Sequence, residues 1–543
     1  MSKKRAVLFI FLPLVIATAI VLGIFLGAFL TPSNNDALIF PQAKRFNNAT
    51  KLNEILNFIE DTYVDSVDKT DLTERSIKSM LTTLDPHSYY IPAKEFEGMN
   101  EPLEGNFDGI GVEFRIKNDT ILIISPIVNG PSDKIGIKAG DRIVKVDTTE
   151  VAGVGITNSK VIKLLKGPRG TTVTVKIIRQ GSKNRIPFTI TRGRIPIFSI
   201  DAPYMIKDEI GYMRITRFSK TTYDEFMKAS RALKNKGMKK LIIDLRSNGG
   251  GVLGAATQIA DEILRKNKMI VYTDGRTRNK TEHFSTANGI LETCAIAILI
   301  NENSASASEI LAGAIQDNDR GTIIGRRSFG KGLVQEQVMW PDGSGLRLTV
   351  ARYYTPTGRC IQKPYGETIE QYQAEAYNRY ENGELLSADS IQFPDSLKFY
   401  TPEGKVVYGG GGIMPDLFIP LDTNNGTNYL YALRYNGTIQ NFALNYVDKQ
   451  RELLKTTYLD AITFKNKFKV DNNLFNSIIK FAEENKIERN LSEIKTSKEL
   501  ISNSLKASIS RNLFNDLGYY VVINESDNTV QKAISSLSKV NWK

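Results

Sequence analysis

The sequence predicts a multidomain α/β protein with a β-rich module and helical flanks, and three observations carry that expectation. The first is length: 543 residues at roughly 100–200 residues per domain imply three or four folded units. The second is a change of pattern along the chain. Apolar positions recur every three to four residues in 44–100, short β-branched runs divided by glycine fill 101–194, and strand, loop and helix repeat from about 204 onward. The third is composition. With 41% hydrophobic and 24% charged residues and 19 Pro, the chain has apolar side chains for several cores, which excludes fibrous and disordered classes.

The first segment, 1–31, opens with Lys3, Lys4 and Arg5 and continues as an uncharged stretch from Ala6 to Leu30. At ~1.5 Å per residue this exceeds a bilayer core of about 30 Å. The basic flank predicts a cytoplasmic start and an exported body. A cleaved signal peptide is the alternative, but its apolar region is shorter, roughly 7 to 15 residues, and is followed by a small-x-small site. The expectation is an uncleaved membrane anchor with the body extracytoplasmic, on the periplasmic side of the inner membrane in a Gram-negative cell.

Residues 44–100 read as a helical region, from Leu52, Ile55, Leu56 and Ile59 and then Ile77, Met80, Leu81 and Leu84, ending at Asp85-Pro86. In 101–194 the runs Gly111–Phe114, Ile121–Ile124, Asp141–Val146 and Thr171–Ile178 are strands, with a helix over Ser159–Leu165. The stretch 101–195 is basic, with 16 Lys+Arg against 9 Asp+Glu. The α/β region, 195–430, alternates strands at Ile210–Ile215, Lys240–Leu245 and Ala295–Ile300 with helices at Tyr223–Asn235, Val252–Leu264 and Ser306–Ile315. It is interrupted by a polar, tyrosine-rich insertion at 367–400. Residues 431–543 are helical, as Leu474, Ile478, Ile479 and Phe481 illustrate.

The chain holds two Cys, Cys294 and Cys360, and two His, His87 and His283. These leave no room for a disulfide framework, a Cys/His zinc site or a thiol-redox motif. The net charge of +12 is mild for the length and does not call for nucleic acid.

Three constellations could carry chemistry. Asp244-Leu245-Arg246-Ser247-Asn248-Gly249-Gly250-Gly251 ends a buried strand in a glycine loop before a helix, where bare N–H groups suit a phosphate or an oxyanion; a simple tight turn would look the same. Ala295–Ile300 is followed by Asn301 to Glu309 and a helix, so a serine at this elbow lies in the positive field of the helix amino end. Helix capping explains one serine there, but Ser304, Ser306 and Ser308 are all present. Ser306, Glu309 and Asp317 share one helix face, which puts two carboxylates behind the serine. Gly325-Arg326-Arg327-Ser328-Phe329-Gly330-Lys331-Gly332 matches a phosphate loop except at Gly332, where Ser or Thr would hold magnesium. A strand pattern, not a helix, follows it, so a nucleotide site fails twice.

A nucleophilic serine needs a base. His87 lies in Asp85-Pro86-His87-Ser88, four consecutive residues that cannot converge on one atom and read as turn chemistry, and His283 follows a charged loop. Lys331 remains. A lysine in an apolar, glycine-lined pocket loses hydration, its pKa falls, and the neutral amine can deprotonate serine.

The runs Ser304-Ala305-Ser306-Ala307-Ser308-Glu309, Gln316-Asp317 and Ser328-Phe329-Gly330-Lys331-Gly332-Leu333-Val334-Gln335 resemble the carboxyl-terminal processing peptidases, or tail-specific proteases. So do Asp244 to Gly251, Tyr354-Thr355-Pro356-x-Gly358-Arg359 and Gly412-Ile413-x-Pro415-Asp416. The resemblance extends from about residue 50 to 425. It implies an α/β Ser-Lys endopeptidase core with an inserted PDZ domain, and no metal, nucleotide or other cofactor. It assigns Ser306 as nucleophile, Lys331 as base and Gln335 as the residue that orients the lysine. The oxyanion hole would combine the N–H of Ala307 with that of Gly251 in preference to Gly250, and Asp317 and Glu309 would support the site from behind. Gly249 stands where many relatives have Pro. Gly109-Ile110-Gly111-Val112-Glu113-Phe114 matches the PDZ turn that binds a peptide carboxylate, so the implied partners are polypeptides with free carboxyl termini. The helical tail is expected to serve self-association. The rival reading is an exported PDZ scaffold whose peptidase-like core is inactive.

Overall fold

The computed structural model describes residues 16–26 and 48–539, apart from 180, 181, 183, 288 and 367. Residues 1–76 and 77–543 form two separate compact units. In the first, 16–26 is an exposed helix, and the remainder of the apolar run 6–30 lies outside the described residues. Among the described residues no helix is long and apolar enough to cross a membrane. The helix Asn48–Thr62 is tied to the start of Lys69–Thr82 by the Lys69 ammonium, which bonds Asn57 at 2.5 Å and Glu60 at 2.9 Å.

The second unit is organised around a six-stranded sheet in the order Ile200–Lys207, Ile210–Ile215, Lys240–Asp244, Ala295–Ile300, Thr322–Gly325 and Leu417–Phe418. The first pair is antiparallel and all later pairs are parallel. Strand side chains alternate between faces, so a strand covered on both sides reads as one continuous apolar run. The two central strands illustrate this: Leu241, Ile243, Ile296, Ile298 and Ile300 point into a core closed by the helices Thr222–Asn235, Leu253–Asp261 and Ala307–Asp317. Tyr212, Ile242, Ala295, Ala297 and Leu299 point the other way, against Val521, Val530, Ala533 and Leu537 of the tail. The tail thus buries apolar surface against its own chain. Its helices from Asn428–Tyr435 to Lys498–Ile523 also enclose a separate core around Leu433, Val447, Phe464 and Ile478.

A second, antiparallel sheet joins Tyr89–Ile91, Leu333–Met339, Gly345–Tyr354, Met269–Asp274 and Thr281–Phe284. The strand Tyr89–Ile91 falls inside the stretch read from sequence as helical. At three residues it is too short to show a period, and its pairing with Gly345–Arg347 is what makes it a strand.

The β-rich module is a sheet in the order Val112–Ile116, Ile121–Pro126, Arg142–Val146, Thr172–Ile178 and Ile186–Thr191, with the helix Asn158–Leu165. The chain enters and leaves it along one ladder, Asn106–Gly109 against Gly193–Pro196, which is the geometry of an insertion. The tail touches this module as well: Arg115 donates to Asn441 at 2.9 Å and Lys117 to Asn445.

Leu537 is 3% exposed and lies between the last helix and the sheet. Leu537→Ala is expected to cost about 2–5 kcal/mol, read as a lower midpoint in chemical denaturation.

Candidate active site

The strand Ala295–Ile300 is buried at every position and turns sharply into the helix Ala307–Asp317. Ser306, at the turn, has φ 57° and ψ −116°. A non-glycine residue held there stores roughly 1–3 kcal/mol of backbone strain and persists only when its neighbours are over-determined. This is the strand–turn–helix elbow that lifts a serine hydroxyl out of its surroundings. The flanking serines supply the restraint. Ser304 Oγ donates to the Leu245 carbonyl at 2.9 Å, Ser308 Oγ donates to the Asn248 carbonyl at 2.9 Å, and Ala305 N–H reaches the same carbonyl at 3.0 Å. Both flanking serines are buried and their hydroxyls are engaged by the glycine loop, whereas Ser306 keeps solvent access.

Glu309, fully buried one turn into the helix, joins the elbow to the lysine loop. Its Oε2 accepts from the N–H of Ser306 at 2.8 Å, completing a capping box, and from the N–H of Lys331 at 2.9 Å. Its Oε1 accepts from Ser328 Oγ at 2.5 Å and from Gly330 N–H at 2.7 Å. Burial pushes the carboxyl pKa up, and the four donors pull against that shift. Four donors on two oxygens match the acceptor capacity of an ionised carboxylate. One side chain therefore holds the backbones of Ser306 and Lys331 on the same oxygen, and a further bond from Phe329 N–H to the Ser304 carbonyl, 2.9 Å, closes the seam.

Lys331 precedes the strand Leu333–Met339 of the antiparallel sheet. Its Nζ donates to Gln335 Oε1 at 2.8 Å, and Gln335 Nε2 donates to the His87 carbonyl. Burial lowers the Lys331 pKa, Arg347 lowers it further, and Asp85 and Glu309 oppose the shift. His87 is held down to about 4, chiefly by burial and next by the Lys331 charge, so its imidazole is neutral near pH 7. The turn chemistry read at this histidine is present, since Asp85 Oδ1 accepts from His87 N–H at 2.7 Å and from Ser88 N–H at 2.8 Å. The sequence reading missed that the same turn delivers a backbone carbonyl to Gln335.

The glycine loop presses on the elbow. A Cβ at Gly250 would meet Ser306 Cβ at 2.7 Å and Ala307 N at 2.9 Å, and one at Gly251, where φ is +141°, would meet the Phe218 carbonyl at 1.9 Å. Only glycine fits either position. The two differ as donors. Gly250 N–H is taken by Asn248 Oδ1 at 2.8 Å, which removes Gly250 from the oxyanion candidates. Among the described residues the N–H groups of Gly251 and Ala307 have no hydrogen-bond partner. Arg246 anchors the loop: it bonds buried Asp244 at 2.7 Å and Asp527, at the start of the last tail helix, at 2.8 Å.

Asp317 requires a correction. It shares a helix face with Ser306, but eleven residues at ~1.5 Å each place it about 16 Å along the axis. There it pairs with fully buried Arg359 at 2.6 Å and accepts from Thr357 Oγ1 at 2.7 Å, pinning the Tyr354–Arg359 segment to the far end of the helix. Of the two carboxylates, only Glu309 reaches the elbow. Among the described residues no group of three or more His, Cys, Asp or Glu could hold a metal ion.

In the β-rich module, Gly109 pairs with Gly193, Ile110 is buried and Gly111 takes φ 73°. The N–H groups of Ile110 and Gly111 have no partner among the described residues. Val112, Glu113 and Phe114 begin the strand Val112–Ile116, which lies at the end of its sheet and, among the described residues, pairs only with Ile121–Pro126. One strand edge is open beside a glycine turn with free N–H groups.

The elbow serine, the buried lysine and the β-rich insertion all lie in segments that match known families. Residues 209–370 match peptidase family S41, 109–189 the PDZ domain, 32–95 the N-terminal domain of the activating protease CtpB, and 429–515 a family of unknown function. The carboxy-terminal-processing protease of Bartonella bacilliformis is 36% identical over 376 residues, covering 66% of this chain and 84% of that protein. Carboxy-terminal processing protease CtpB of Bacillus subtilis is 34% identical over 316 residues, 58% of this chain and 65% of that one. Among solved structures, the photosystem II D1 C-terminal processing protease is 26% identical, with 68% of this chain and 88% of that chain covered at a TM-score of 0.34. The chain belongs to the carboxy-terminal processing proteases of peptidase family S41, and it is a serine peptidase with a PDZ domain.

Glu309→Gln turns one acceptor into a donor facing two N–H or O–H groups. With about 1–3 kcal/mol lost per unsatisfied group, peptidase activity is expected to fall by at least tenfold while far-ultraviolet circular dichroism keeps its folded signature.

Proposed function

We propose that this protein is a membrane-attached, extracytoplasmic endopeptidase that captures free carboxyl termini with its PDZ module and cleaves upstream with Ser306 and Lys331. The observation that carries the dyad is the shared Glu309 oxygen, which holds the N–H groups of Ser306 and Lys331 at 2.8 and 2.9 Å. The neutral Lys331 amine takes the Ser306 proton as Oγ attacks the scissile carbonyl. The oxyanion faces the N–H groups of Ala307 and Gly251. The Lys331 ammonium then protonates the leaving amine, and as base again it activates the water that releases the acyl group. Gln335 Oε1, 2.8 Å from Nζ, aims the lysine.

The PDZ assignment is supported by the free N–H groups of Ile110 and Gly111 beside the open edge of Val112–Ile116. The location rests on sequence, namely Lys3, Lys4 and Arg5 before the uncharged run from Ala6 to Leu30.

Ser306→Ala and Lys331→Ala are each expected to abolish cleavage of an unstructured polypeptide with circular dichroism unchanged, and an active-site serine reagent should label only the parent; activity in either purified variant would remove the dyad. The base must be neutral to act. As the Lys331 pKa lies below the 10.5 of an ordinary lysine, activity is fully present above that lowered pKa and is lost as pH falls through it. A pH series of kcat/KM measures this limb. Amidating the carboxyl terminus of a peptide substrate should raise KM in the parent, and equal KM for amidated and free-acid peptides would count against the PDZ role.

A further inference from the structure

From residue 368 onward the tyrosine-rich insertion packs on the lysine loop. Its helix, Ile369–Glu381, buries Tyr372 and Arg379. The Arg379 guanidinium donates to the carbonyls of Ser328 at 2.8 Å and Phe329 at 3.2 Å, just ahead of Gly330-Lys331. Glu375 holds that arginine at 2.5 Å and the Lys363 ammonium at 2.8 Å. Lys363 sits over the rings of Phe329 and Tyr372, 4.0 and 4.1 Å from their centroids. The Tyr372 hydroxyl is hydrogen-bonded to His87 Nε2 at 2.7 Å, and the two rings meet edge to face at 5.3 Å.

His87 links this cluster to the lysine amine. Its backbone carbonyl accepts from Gln335 Nε2, which leaves Gln335 Oε1 facing Lys331 Nζ. An amide turned the other way would set its NH2 against the amine, opposing the ammonium donor to donor and occupying, in the neutral form, the lone pair that has to take the serine proton. The position of the His87 carbonyl therefore decides which end of Gln335 the lysine meets. That position is fixed from two sides, by Asp85 through the turn and by Tyr372 through the ring.

We propose that the insertion is a positioning element for the general base: Tyr372 acts through His87 and Gln335 on the Lys331 amine, while Arg379 holds the backbone that carries the lysine. The proposal rests on the reading of Lys331 as base. It gives a long segment outside the shared motifs a part in the reaction without contact with substrate.

The test compares Tyr372→Phe with Tyr377→Phe, a substitution on the same helix at a residue 66% exposed. The readouts are kcat, KM and the pH profile for a free-acid peptide. The groups facing Lys331 are Arg347, Asp85 and Glu309, together with the His87 imidazole, which is held down to about 4 and is neutral near pH 7; Tyr372→Phe takes a hydrogen-bond partner from that ring, and neither substitution adds or removes a charge. Tyr372→Phe removes one hydrogen bond and should lower kcat about fivefold with KM unchanged. A loosened Gln335 lets water reach the amine, so the acid limb should move to higher pH. Tyr377→Phe should match the parent. A parental profile in Tyr372→Phe would overturn the proposal, as would a lower kcat that merely follows loss of folded enzyme with the limb unmoved. Lys331→Ala, assayed alongside, separates the two readings: an active variant removes the base assignment itself, whereas an inactive one beside an unaffected Tyr372→Phe removes only the positioning role.

Discussion

The buried carboxylate of Glu309 is the constraint on which the rest of the site depends. The elbow serine and the lysine loop leave neighbouring strands of the parallel sheet, Ala295–Ile300 and Thr322–Gly325, and what remains is to join their backbones in one fixed register. Glu309 does so by accepting from the backbone on both sides. Leaving buried N–H groups unpaired costs more than making their bonds gains, so the arrangement is enforced by the penalty for undoing it. Ser328, which donates to Glu309, also accepts from Ile413 N–H at 2.6 Å. The distant Gly412-Ile413 segment is thereby drawn into the same knot.

Around this knot the chain places supports that are far from it in sequence. Asp527 holds Arg246 and with it the glycine loop, Arg359 fixes the far end of the elbow helix through Asp317, and Arg379 holds the lysine loop. Each is an arginine making charge-assisted bonds to more than one group, which suits a planar, forked donor. Beyond Asp527 the tail contributes twice more, covering one face of the parallel sheet and touching the PDZ module at Arg115 and Lys117.

The central strands were legible because a parallel sheet covered on both faces writes itself as unbroken apolar runs, as in Ala295–Ile300. Tyr89–Ile91 was not, since a three-residue strand carries no period. At the site, the local pattern narrowed the nucleophile to three serines and could go no further, because capping, fastening and catalysis all favour the same residue type at a helix start. Hydrogen bonds to Leu245 and Asn248, about sixty residues upstream, separate Ser304 and Ser308 from Ser306. Periodicity correctly put Asp317 on the face of Ser306 but could not say how far along the axis that face mattered.

By itself the sequence determined which groups were on offer. With two histidines in the chain, neither in a context suited to a triad, it leaves Lys331 as the base we propose for the serine, and composition is a property no fold can alter. Tertiary structure decided everything that depends on which groups compete for the same bond. It took Gly250 N–H for Asn248 and left Gly251 free, and it turned the His87 carbonyl toward Gln335. It also laid the insertion against the lysine loop. Donors and acceptors are chosen by distance in space: the Asn248–Gly250 bond spans two positions, whereas His87 and Gln335, or Arg379 and Ser328, lie tens to hundreds of positions apart along the chain.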